Sequence, residues 1–108
     1  MIGKTEREDR KYAIQLRQIV TYAFIKARGC ESRCISLQKL YGRFCRLNQS
    51  DIVSYMSEPL MREIFKREIT GSGIVYRLTG KFRYVEYDVV NKFVNKELLR
   101  LKEERKKN

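Results

Sequence analysis

A chain of 108 residues, 43% of them hydrophobic, makes one small domain whose single core is too thin to enclose a large active-site cavity. Its 24 Lys and Arg against 13 Asp and Glu give a formal charge of +11, which asks for a polyanionic partner: nucleic acid first, because each neutralised phosphate releases counterions, and an anionic membrane surface second. The absence of histidine excludes Ser-His-Asp and Cys-His catalysis and His-containing zinc sites, and three cysteines are one short of an all-cysteine zinc site.

In chain order, residues 1–8 read as a flexible polar start without the apolar run of a signal peptide. From about Glu8 to Arg28, Tyr12, Ala13, Leu16, Ile19, Val20, Ala23, Phe24 and Ala27 recur at steps of three and four, so a helix buries that side, with Gly29 as its C-cap. Residues 29–35 read as a connector. Ser36 caps a short helix that turns Leu37, Leu40, Tyr41 and Phe44 inward. A tight turn over Cys45–Asn48 leads into a third helix near Gln49, capped by Asn48 or Ser50, with Ile52, Val53, Met56, Leu60 and Ile64 inward. Pro59 kinks or breaks that helix, or opens a new turn after Ser57-Glu58 as its first residue.

After Ile64 the period changes. Two short runs, Phe65–Thr70 and Ile74–Thr79, flank Gly71-Ser72-Gly73 and predict a β-hairpin. The spacing of Phe82, Val85, Val89, Val90, Phe93, Val94, Leu98 and Leu101 predicts a long helix over 80–104. Residues 82–87 also suit a strand, but the spacing runs unbroken into the helical part and favours helix. Residues 105–108 are a basic tail. No apolar stretch approaches the roughly 18 residues that cross a membrane. The expected location is the cytoplasm, associated with the nucleoid, or the host cytoplasm if the protein is viral.

This order of helix, short helix, turn, helix, glycine-tipped hairpin and helix, and above all the run Ile64–Thr79 ending in aromatic-x-Leu-Thr, closely resembles the wing segment of the winged helix-turn-helix DNA-binding superfamily. Small transcription regulators of archaea and their viruses are similar in size and charge. The resemblance implies an α+β, mostly α fold: three N-terminal helices and a β-hairpin wing over residues 9–79, then a long C-terminal helix. It implies a double-stranded DNA-binding regulator without a cofactor, metal or small-molecule substrate. The chain departs from the pattern at Pro59 and in the acidic residues of its third helix.

Physical reasoning leads to the same residues. A helix fits the major groove, and the helix before it braces it across the backbone. Gln49, Ser50, Ser54 and Tyr55 are the candidates for reading bases. Lys39, Arg43 and Arg46 beside the turn, Arg62, and Lys66, Arg67, Ser72 and Arg77 of the hairpin are the candidates for phosphate contact. In the last helix, Val89, Val90, Phe93, Val94, Leu98 and Leu101 exceed what a core this small can cover, so a homodimer seam is expected there. Cys30, Cys34 and Cys45 are either buried or unlinked thiols, or a disulfide joining one of the first two to Cys45. A protein–protein adaptor of the same fold is the alternative function. Enzymatic activity is not expected, because the carboxylates are scattered among bases rather than converging on a metal site.

Overall fold

The computed structural model describes the backbone of residues 2–107 and the side chains of residues 9–104. The side chains of the expected loose start and basic tail therefore lie outside the described residues. Helix α1, Ile2–Arg28, already begins at Ile2 rather than near Glu8. Most of the stripe read from spacing is buried, namely Leu16, Ile19, Val20, Ala23, Phe24 and Ala27, while Tyr12 and Ala13 are half-buried. Lys26 and Arg28 in the last turn complement the negative end of the helix dipole. The Gly29 N–H donates to the Ile25 carbonyl at 3.0 Å, without the left-handed backbone of a glycine cap.

The connector contains a strand that its sequence does not announce. Strand β1, Cys34–Ser36, pairs antiparallel with β3, Gly73–Leu78, which pairs antiparallel with β2, Phe65–Thr70. The sheet order is β1-β3-β2. The chain enters β1 through a turn closed by the Arg33 N–H on the Cys30 carbonyl at 3.0 Å. Arg33 itself sits at φ 56°, in the left-handed region. Its carbonyl then receives the Leu78 N–H at 2.9 Å. Period two sorts the faces: Ile35, Phe65, Tyr76 and Leu78 are buried, while Cys34, Lys66 and Arg77, paired across the register, occupy the other side.

Helix α2, Leu37–Arg43, is capped by Ser36, whose Oγ accepts from the Lys39 N–H at 3.1 Å. Only Leu40 is fully buried. Tyr41, expected inward, is 37% exposed, because it follows Leu40 by about 100° around the helix. Helix α3, Gln49–Met56, is capped by Asn48, whose Oδ1 accepts from the Asp51 N–H at 2.8 Å. Helix α4, Pro59–Ile64, starts with Pro59 at its first position. The proline thus breaks the long helix cleanly, since its missing N–H is one that a helix start leaves unpaired anyway. Thr79 ties the end of β3 to the end of α4, its N–H on the Ile64 carbonyl at 2.9 Å and its hydroxyl on the Glu63 carbonyl at 2.7 Å.

Residues 80–86 are turns and irregular chain, neither helix nor strand, and the last helix, α5, is Tyr87–Lys107. The reason lies in Phe82, which is buried with its ring 5.1 Å from that of Phe93. In one continuous helix these residues would sit about 16 Å apart along the axis. Val90 and Val94 of α5 complete the core with α1, α3, α4 and the sheet. The architecture is α+β and mostly helical, with a small antiparallel sheet and a C-terminal helix. Among the described residues no helix is long and apolar enough to cross a membrane.

Candidate nucleic-acid interface

Two exposed polar surfaces emerge from this scaffold. The first is the outer side of α3. Burial of Ile52 and Met56 fixes the rotation of the helix and turns Ser50, Asp51 and Ser54 outward, while Gln49, at the inward spacing of three and four before Ile52 and Val53, is exposed because it opens the helix. Gln49 and Ser54 are both open to solvent, though about 140° apart around the helix. Ser50 is partly engaged, its hydroxyl donating to Asn48 Oδ1 at 2.7 Å.

Tyr55 is not an outward reader. Its ring stacks on Tyr12 of α1, with centroids 5.3 Å apart and planes at 23°. Burial there, followed by the charges of Asp51 and Glu58, pushes its hydroxyl pKa up. It sits three residues after Ile52, on the edge of the helix that faces α1.

The second surface is the β2–β3 hairpin. Lys66 and Arg67 are exposed on β2, and no ion pair involves either among the described residues. The tip is held internally. The Thr70 hydroxyl donates to the Gly73 carbonyl at 2.8 Å and accepts the Ser72 N–H at 3.2 Å. Gly73 lies at φ 120°, a conformation that side chains with a Cβ rarely adopt. Ser72 is exposed at that tip, but its N–H is already bound.

Arg77 differs from its neighbours. Its Nε donates to Glu68 Oε1 at 2.9 Å and its Nη1 to the Ser32 carbonyl at 2.5 Å. That carboxylate bond, with the charge of Glu68, raises its pKa. Its Nε and Nη1 brace the sheet against the turn before β1, which leaves the side chain 32% exposed and less available to a phosphate than Lys66 or Arg67.

The remaining basic candidates are exposed but separated. Lys39 lies in the first turn of α2, Arg46 in the turn before α3, and Arg62 on α4. Arg43 leans on α1, its guanidinium 5.7 Å from the centre of the Tyr22 ring, which also meets Phe44 edge-on at 5.7 Å. One residue the sequence reading passed over stands out. Ile69, on the edge strand β2 beside the tip, is 81% exposed. Strand alternation could have found it, because it pairs with Ile74 beyond the last buried layer.

The expected dimer stripe is largely consumed within the domain. Val90 and Val94 are buried, and Phe93 packs on Phe82. Leu98 and Leu101 are half-buried against the same core. Val89 stays 44% exposed, joined by Leu99, which the stripe did not include, at 59%.

All three cysteines are unlinked thiols. Cys45 is exposed, while Cys30 and Cys34 share contacts with Ser32 and not with Cys45. Among the described residues no three Cys, Asp or Glu side chains gather closely enough to hold a metal ion. Compared with protein-family profiles, curated proteins and solved structures, the chain matches none.

Proposed function

We propose that this protein is a winged helix-turn-helix domain that binds double-stranded DNA as a transcription regulator. In this reading α3 enters the major groove, α2 braces it, and the β2–β3 hairpin is the wing that contacts the backbone beside it. The observation that carries the proposal is the pairing of two features in a chain of charge +11: the exposed Gln49 and Ser54 on α3, and the exposed Lys66 and Arg67 on the hairpin. The element order and the antiparallel order β1-β3-β2 support it. Arg46, Arg62 and Lys39 add phosphate contacts. Homodimerisation is part of the proposal, through Val89, Leu98, Leu99 and Leu101, apolar residues of α5 that the core leaves open or half open.

The test is a fluorescence-anisotropy titration of a random-sequence duplex at low salt. Binding that weakens steeply with added salt supports the reading, and no affinity even at low salt ends it.

A second reading is favoured by one feature. Asp51 is exposed on α3, and Glu58 lies just beyond its end. These carboxylates repel phosphate but suit a basic protein surface, as in an adaptor of the same fold. A pull-down from nuclease-treated lysate separates the two, since an adaptor keeps its partner and a DNA binder loses its own.

A further inference from the structure

The turn before β1 carries a chemical device that the DNA reading does not use. Cys30 Sγ and Cys34 Sγ each lie 3.1 Å from the same atom, Ser32 Oγ. The two sulfurs can therefore be no farther apart than twice that distance. Neither is sealed in the core, as both residues are only half-buried. The turn closed by Arg33 N–H on the Cys30 carbonyl brings residue 34 back towards residue 30. The same turn holds the wing: the Ser32 carbonyl receives Arg77 Nη1 at 2.5 Å, and the Arg33 carbonyl receives the Leu78 N–H at 2.9 Å.

We propose that Cys30 and Cys34 are a dithiol that forms an intramolecular disulfide, with Cys45 outside the reaction, and that this bond alters the anchoring of Arg77 in the hairpin. The co-reactant is a small-molecule disulfide such as oxidised glutathione. The Cys30 sulfur loses its proton and attacks one sulfur of the small disulfide. A mixed disulfide forms, and one small thiolate leaves and takes up a proton. The Cys34 sulfur then loses its proton and attacks the Cys30 sulfur, forming the Cys30–Cys34 bond and releasing the second small thiol. Two protein thiols are oxidised and one small disulfide is reduced.

Cys30 suits the attacking role by its surroundings. The Ser32 hydroxyl, followed by the Ser32 and Cys34 N–H groups and the charge of Lys39, holds its thiol below the ordinary value. Arg77 and Cys34 are register partners across β1 and β3, so the arginine lies beside the pair. Bonding distance between sulfurs is about 2 Å. Closing that bond draws residues 30 and 34 together and loads the turn between them, which carries the Ser32 and Arg33 carbonyls that receive Arg77 and Leu78.

The experiment incubates the full chain with mixtures of reduced and oxidised glutathione, quenches with acid, alkylates the remaining thiols and measures mass. The expected product has lost two hydrogens and carries one alkyl group, on Cys45; Cys45→Ser protein should form the same link equally and carry no alkyl group. Trypsin cleaves after Arg28, Arg33 and Lys39, so residues 29–33 and 34–39 should emerge joined. Hydrogen exchange at the Leu78 amide should be faster in the oxidised protein. Three fully alkylated thiols, glutathione adducts alone, or a link to Cys45 would overturn the inference. So would a Cys30–Cys34 bond that leaves Leu78 exchange unchanged, because the coupling to the hairpin would be absent. None of these readouts involves DNA. A link in a protein that binds no duplex therefore refutes the regulator reading and not this one.

Discussion

Replacing Lys66 and Arg67 together by alanine separates electrostatic binding from folding. Both side chains are exposed on the edge strand and neither is held in an ion pair among the described residues. The folded state should therefore change by no more than about 0.5 kcal/mol, measured by urea unfolding. If each cation neutralises one phosphate, each contributes about 0.9 to the slope of log affinity against log salt. The pair then contributes about 1.8. Raising salt from about 50 to about 200 mM should cost the wild type about 12-fold more affinity than the double variant. The loss should be the same for unrelated duplex sequences, because phosphates carry no sequence information. Arg77→Ala is the contrast. Its Nε and Nη1 are committed to Glu68 and the Ser32 carbonyl, so Arg77→Ala should lower stability while changing the slope less than the Lys66/Arg67 variant does. Anisotropy titrations at several salt concentrations supply the slopes. Equal slopes for wild type and the Lys66/Arg67 variant, at unchanged stability, would refute the hairpin as a phosphate-contacting element.

Three more outcomes are expected. Tyr76 is buried with no hydrogen-bond partner for its hydroxyl among the described residues, so Tyr76→Phe should raise stability by about 1 kcal/mol, read as a higher urea midpoint at unchanged slope. Tyr55→Ala removes the stack on Tyr12 and should cost about 1 kcal/mol or more of stability while leaving sequence preference intact, whereas Ser54→Ala should shift preference in a selection from random duplexes. Arg28 donates two hydrogen bonds to Glu86, at 2.9 and 2.8 Å, and these hold that carboxyl below its ordinary range. A depressed folded value means stabilisation that is present above the unfolded carboxylate value and is lost as pH falls through the folded one, so Glu86→Gln should lower neutral stability slightly and flatten the acid arm below about pH 4.

What could be read from the sequence was set locally. The stripe of α1 and the Ser36 cap each follow from neighbours within a turn or two, and local signals narrowed the α3 cap to Asn48 or Ser50 and marked Pro59 as a kink, a break or a helix start. The hairpin was legible for the same reason, since Gly73 and the flanking β-branched residues act within a few positions. Strand β1 was not legible. Three residues carry too little pattern, and Cys34–Ser36 is extended because β3 lies beside it. The turn before it uses Arg33 in a conformation usually reserved for glycine, so no glycine marked it. The start of α5 was misjudged because Phe82 and Val85 fall by chance on helical spacing, while long-range packing on Phe93 bends the chain instead. The candidate site was legible as residue types but not as commitments. Tyr55, Arg77, Val90 and Val94 all looked available, and each is occupied by a neighbour distant in sequence: Tyr12, the turn at Ser32, and the core beneath α5.

The central claim is that α3 and the hairpin together form the duplex-binding side of the molecule. It is tested most directly by following backbone amide NMR shifts as a short duplex is added to the full chain. The largest shifts are expected at Gln49–Ser54 and Lys66–Ser72, with the exposed side of α5 unmoved. Shifts confined to α1 or α5, with α3 and the hairpin silent, would contradict it.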